Sequence, residues 1–106
     1  MKYNILVKNL ELTDELRGYV EKKLNKIARF YDKITHLDVD LSRDSKQKSG
    51  PVYRAEVNLD IPGHLLRVVE FDYTIEAAVD KVQDKIIRQV KKAKGKLEAK
   101  NRPVQE

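Results

Sequence analysis

Residues 2–8 alternate, with Tyr3, Ile5 and Val7 on one side and Lys2, Asn4, Leu6 and Lys8 on the other, which is the period of a strand. Thr13 then stands at an N-cap position, and Asp14 and Glu15 put negative charge in a first helical turn, where the helix dipole favours it. Leu16, Val20, Leu24, Ile27 and Tyr31 recur at spacings of three and four, predicting a helix from Asp14 to Tyr31. Three alternating runs follow. In 36–43 the apolar set is Leu37, Val39 and Leu41; in 52–61 it is Tyr53, Ala55, Val57, Leu59 and Ile61; in 65–72 both faces carry apolar residues, so the register stays open. The polar stretch Asp44–Pro51 predicts a loop, and Pro62-Gly63 a tight turn. From Thr74 a second helix is marked by Ile75, Ala78, Val79, Val82, Ile86, Val90, Ala93 and Leu97. Over 74–97 it would span roughly 35 Å and run past the sheet. Gly95 should weaken its end and Asn101-Arg102-Pro103 should stop it.

The order is β-α-β-β-β-α. Each helix has one apolar stripe and three strands have one clearly apolar face. An α+β two-layer sandwich follows, with two helices on one face of a four-stranded sheet. The expected domain covers 1–97, leaving 98–106 as a polar tail or linker stub.

The chain has 106 residues, 41 % hydrophobic and 37 % charged, which suits one small core with a heavily solvated surface. No apolar run approaches the ~20 residues of a membrane span, and the start lacks a signal-peptide pattern, so a cytoplasmic protein without a membrane partner is expected. There is no Cys, and two isolated His residues do not make a typical zinc site. We therefore expect no enzyme, no metal, no cofactor and no small-molecule substrate. His36 and His64 read as strand or turn polar residues without an acid–base partner.

Charge distribution adds more. Residues 81–102 hold nine Lys or Arg against Asp84 and Glu98, a net +7 within a chain of +5, so the other 84 residues carry −2. One strongly basic segment suggests a polyanionic partner. On the first helix Lys22, Lys26, Arg29 and Lys33 fall within about 60° of one another, away from the apolar stripe. On the second, Lys81, Lys85, Arg88 and Lys92 repeat that spacing, with Lys96 close to the line. Neither ridge has an acid at its own positions, whereas an ordinary solvated face mixes signs. Side by side, about 8–10 Å apart, the helices would present one continuous cationic surface suited to folded RNA. The open sheet face should be acidic, from Asp38, Asp40, Glu56, Asp60 and either Glu70 or Asp72, with Asn58 among them. Tyr19 and Tyr73 are candidates for stacking on bases or for boundary packing. The aromatic RNP motif of an RRM and the GxxG loop of a KH domain are both missing.

A further set of residues, in order along nearly the whole chain, carries a resemblance. It comprises Asn4-Ile5, Leu10-Glu11-Leu12-Thr13 leading to Arg17 and Val20, then Lys23, Lys26 and Phe30-Tyr31-Asp32-Lys33-Ile34. In the second helix it comprises Ala77-Ala78-Val79-Asp80, Lys85, Arg88-Gln89, Lys92 and Lys96. The chain resembles the ribosome hibernation promoting factors and their relative the ribosome-associated inhibitor (protein Y), some of which have been described as sigma-54 modulation proteins. The resemblance implies the same β-α-β-β-β-α fold, related to double-stranded RNA-binding domains. It also implies binding in the channel of the small ribosomal subunit where tRNA anticodons and mRNA sit, through ribosomal RNA, so that translation is blocked and idle ribosomes are protected. Lys23, Lys26, Lys85, Arg88, Lys92 and Lys96 are the contacts it implies; Lys22 and Lys81 rest on the ridge alone. Thr74-Ile75-Glu76 departs from the family's usual Asp, aliphatic, Tyr start to the second helix, keeping the cap and losing the Tyr. Two other readings stand beside this one: a protein-interaction module of transcription or stress signalling acting through the acidic sheet face, and a generic double-stranded RNA binder. The free chain is expected to be a monomer, because no spare apolar face is foreseen.

Overall fold

The computed structural model describes residues 2–44 and 46–101, the side chains of 96–101 excepted. The elements are β1 (Lys2–Lys8), α1 (Asp14–Ala28), β2 (His36–Arg43), β3 (Tyr53–Ile61), β4 (His64–Asp72) and α2 (Ile75–Asn101). One sheet has the order β1-β2-β3-β4, with β1 and β2 parallel and the other pairs antiparallel. The expected two-layer architecture is therefore present. The β3–β4 turn is the foreseen Pro62-Gly63, where Gly63 takes a φ of 77° that a side chain would strain.

Leu37, Val39 and Leu41 of β2 and Ala55, Val57, Leu59 and Ile61 of β3 all face the helices and are buried. Above them lie Leu16, Val20, Leu24 and Ile27 of α1 and the α2 stripe from Ile75 to Ala93. Among the described residues no helix is long and apolar enough to cross a membrane.

The helix ends differ from expectation. α1 stops at Ala28 instead of reaching Tyr31: the Arg29 N–H donates to both Asn25 and Lys26, and the Phe30 N–H donates to Ile27 O at 3.1 Å, a tightening that ends the helix. Fifteen residues already span about 22 Å, which matches the length of β1 and β2, and the chain must return to start β2. Tyr31 and Ile34 then turn inward from the connection and are buried. α2 runs through Gly95 and past residue 97 to Asn101. One glycine costs a helix only about 1 kcal/mol, and the flanking Lys, Ala and Leu residues are good helix formers. At about 40 Å it exceeds the ~30 Å of the nine-residue strands beneath it. Arg102 to Glu106 lie outside the described residues.

β4 settles its own register. Val57 pairs with Val68, so Leu66, Val68, Glu70 and Asp72 face the helices, while Leu65, Arg67, Val69 and Phe71 lie on the open face. Glu70 and Asp72 are thus not part of an acidic open face. That face is mixed: Asp38, Asp40, Glu56, Asn58 and Asp60 share it with Lys2, Lys8, Arg54 and Arg67 and with exposed Leu6, Leu65 and Phe71. The premise for a monomer, that no apolar side chain is left over, fails at Leu65 and Phe71, which are 73 % and 49 % exposed. His36 also has the partner the sequence did not show: its Nε2 lies 2.9 Å from Asp38 Oδ1.

Glu56 anchors the open face. Arg67 donates to its Oε1 at 3.0 Å, Asn58 donates to its Oε2 at 2.7 Å, and Arg54 donates to Oε1 as well. These hydrogen bonds, led by that of Arg67, outweigh burial and bring its carboxyl down to about 2 from 4.5. Between those values the unfolded chain binds the proton and the folded one does not, so stability falls as pH drops through that window. Glu56→Gln should destabilise the fold by about 2 kcal/mol at neutral pH, a value discounted because Arg67 is largely exposed. Urea denaturation from pH 6 to pH 2.5 checks this: the gap between wild type and variant must shrink as pH falls, and a constant gap refutes the assignment.

Candidate nucleic-acid interface

Both helices start in the same way. The Leu16 N–H donates to Thr13 Oγ1 and the Ala77 N–H to Thr74 Oγ1, each at 3.1 Å, so the capping expected of Thr74 is present. The helices then pack in parallel. Tyr19 of α1 meets Asp80 of α2, and eleven residues on, Phe30 meets Lys91; the offset in sequence is the same at both points.

The first contact is a three-residue tie. The Tyr19 hydroxyl donates to Asp80 Oδ1, Lys23 Nζ lies 3.2 Å from the same oxygen, and that ammonium sits 5.1 Å from the centre of the Tyr19 ring. Burial, then the hydrogen bond to Asp80, pushes the Tyr19 phenol up to about 12. The stability tied to its proton is whole below pH 10 and is lost as pH rises through 12. Tyr19 therefore fills the boundary role, while Tyr73, between β4 and α2, is 69 % exposed. The second contact sets Lys91 Nζ over the Phe30 ring at 4.7 Å.

Asp80 and Lys91 mark the flank of α2 that faces α1; Lys81 and Lys85 lie on the opposite flank, over β4. There Lys81 Nζ is 2.8 Å from Asp72 Oδ2 and Lys85 Nζ is 2.7 Å from Glu70 Oε1. The hydrogen bond from Lys81 lowers the Asp72 carboxyl, and the same bond raises the lysine. The two α2 cations read as free of acids along their own helix are neutralised by the neighbouring strand. Only the register of β4 could have revealed this, and its two apolar faces concealed it.

The expected pair of ridges is accordingly modified. On α1, Lys22, Lys26 and Arg29 are exposed and line one open cleft of ≈ 510 Å³ that also includes Gly18, Glu21 and Asn25. Arg29 is the C-cap, and Lys33 is off the helix altogether, in the turn that follows it, because α1 ends early. On α2, Arg88 and Lys92 are exposed. Among the described residues, Lys22, Lys26, Arg29, Lys33, Arg88 and Lys92 make no ion pair. The Lys96 side chain lies outside the described residues. No group of three metal-ligating side chains occurs among them either. The arrangement suits binding of phosphates by unneutralised cations on two rigid, parallel rods.

Residues 3–98 match the family described as "Sigma 54 modulation protein / S30EA ribosomal protein". The chain is 36 % identical over 92 residues to a ribosome hibernation promotion factor of Deinococcus radiodurans, covering 87 % of this chain and 48 % of that one. It is 33 % identical to a ribosome hibernation promoting factor of Pseudomonas putida, covering 93 % and 92 %. A crystal structure of the Thermus thermophilus Protein Y N-terminal domain superposes with a TM-score of 0.71 at 40 % identity, covering 86 % of this chain and 93 % of that one. The chain spans about half the length of the Deinococcus relative.

The tie between the helices can be measured by a double-mutant cycle on Tyr19→Phe and Asp80→Ala. Each change should cost about 1 kcal/mol, and the double variant should lose less than the sum of the two. Strict additivity in thermal or urea denaturation would mean that the hydroxyl and the carboxylate do not hold the helices together.

Proposed function

Because the chain belongs to the sigma 54 modulation protein / S30EA ribosomal protein family, we propose that it is a non-enzymatic, ribosome-binding hibernation factor of the cytoplasm. In this reading it occupies the tRNA and mRNA channel of the small subunit and so inhibits translation. The names of the Deinococcus and Pseudomonas relatives support the ribosomal partner. The observation that carries the reading is the set of cations on the outer faces of two parallel helices, Lys22, Lys26 and Arg29 with Arg88 and Lys92, that make no ion pair among the described residues.

These five are the principal contacts. Lys23, Lys81 and Lys85 join them less strongly, since each must leave an acid, Asp80, Asp72 or Glu70, to serve a phosphate. Lys33, from its turn, extends the same surface, and Lys96 is proposed as a further contact from its place in the sequence. Rigid helices lose little entropy on docking, and RNA phosphates displace only water and counterions from the free cations. The protein acts as a single copy: along β4 Arg67 parts Leu65 from Val69 and Phe71, and across the sheet Asp40 and Glu56 part Leu6 from Val69, so the exposed apolar side chains form no one large patch. No cofactor or small molecule enters this function.

Sedimentation with purified ribosomal subunits tests the reading. The protein should co-migrate with the small subunit, and excess tRNA should displace it. Equal binding to bare RNA duplexes without competition by tRNA would leave a generic double-stranded RNA binder; binding to neither would overturn the RNA reading. Five phosphate contacts predict a log K against log[salt] slope of roughly −3.5 to −4.5. Lys26→Glu or Arg88→Glu should each weaken binding about tenfold and leave the melting temperature within a few degrees of wild type, both being exposed. If reversals on α1 leave affinity and slope unchanged, α2 docks alone.

A further inference from the structure

On the far layer of the molecule from the helices' outer faces, a second group of cations comes together. Lys8, Ser42, Arg54 and Phe71 are in register across the four strands, forming one row on the open face of the sheet. At the usual strand spacing the row is about 14 Å long. Beside it, Arg43 at the end of β2 and Lys46 in the following loop complete a cleft of ≈ 370 Å³.

The surrounding contacts hold these groups in place, and Arg54 is the one of the four cations that they pair with an acid. Asn9 takes a φ of 60° and its Nδ2 donates to Arg43 O at 3.3 Å, which holds the end of β1 against the end of β2. The Arg43 guanidinium lies 6.0 Å from the centre of the Tyr53 ring. Asp44, the acid of the cleft, accepts the Lys46 backbone N–H at 2.9 Å and makes no ion pair among the described residues. Arg54 is paired with Glu56. Lys8, Arg43 and Lys46 make no ion pair among the described residues.

We propose that this cleft, where Lys8 and Lys46 stand beside the half-exposed Phe71, is a second RNA contact that takes single-stranded RNA. A phosphate sits against the two lysines, Arg54 joins them by leaving Glu56, and the adjoining base stacks on the Phe71 ring; Arg43, on the helix side of the sheet against Tyr53, adds positive charge only from the rim. Lysines without an acid partner beside an exposed aromatic are what a phosphodiester with an unpaired base requires. A duplex keeps its bases stacked inside and cannot use the ring; an acidic peptide would satisfy the cations and leave the ring without a function. Only the identity of the RNA rests on the ribosomal reading. If that reading holds, the protein is gripped by RNA on two opposite layers.

The test is fluorescence anisotropy with a labelled decauridylate, which has little structure of its own. The pair Lys8→Glu and Lys46→Glu should weaken binding more than tenfold. The pair Lys2→Glu and Arg17→Glu, with the same change in net charge elsewhere, should weaken it less than threefold. Phe71→Leu, which keeps the charge and an apolar side chain, should weaken it about fivefold or more, with circular dichroism and melting confirming the fold. Equal losses for the two charge pairs, no loss for Phe71→Leu, or competition by polyglutamate or an RNA duplex as strong as by the oligonucleotide would each overturn the proposal. Decauridylate binding at the cleft without co-sedimentation of the wild type on subunits sinks the ribosomal reading and keeps the cleft. Co-sedimentation with decauridylate binding insensitive to cleft changes sinks the cleft alone.

Discussion

Seven apolar side chains on the two central strands, Leu37, Val39, Leu41, Ala55, Val57, Leu59 and Ile61, must be kept from water, and the stripes of α1 and α2 are what cover them. Burying each of the larger ones contributes about 1.5–3 kcal/mol, whereas a surface ion pair contributes about 0–1. The core therefore decides where the helices lie, and the charges adapt. Since β1 and β2 are parallel and β4 runs with them, the helix that follows β1 and the helix that follows β4 run in the same direction. The parallel pair of rods is a consequence of the strand topology.

That placement sorts the lysines into two kinds. Where α2 overhangs β4, the edge strand's Glu70 and Asp72 reach Lys85 and Lys81; where it meets α1, Asp80 takes Lys23 and Tyr19. Such pairs orient α2 on both flanks and reduce the charge left for a ligand. On the outer faces Glu21 lies in the cleft of Lys22, Lys26 and Arg29, and Asp84 and Glu70 in that of Arg88, yet among the described residues none of these cations, nor Lys92, is held in an ion pair. Partly exposed pairs exchange readily for phosphates, so the surface retains a reserve of cations beside its principal ones.

The open face follows a different logic. Glu56 is held among Arg54, Arg67 and Asn58 near the centre, which satisfies a nearly buried carboxylate without a metal or a partner chain. Towards the end where β1 and β2 finish, Asp44 is the one acid lining the cleft, and among the described residues Lys8 and Lys46, beside Phe71, make no ion pair.

The order of elements, the apolar faces of β1, β2 and β3, both Thr caps and the cations of the helices were determined by the sequence alone, because period, capping and residue type act within a few residues. The early end of α1 was not, since it depends on how far the chain must travel to begin β2, and Lys33 moved off the helix for that reason. Nor was the register of β4, whose two apolar faces make either orientation plausible until Val68 pairs with Val57 under α2. With that register came the partners of Lys81 and Lys85, the loss of a uniformly acidic face and the row from Lys8 to Phe71. Each of these joins residues far apart in the chain, and such contacts exist only once the sheet has closed and the helices have settled on it.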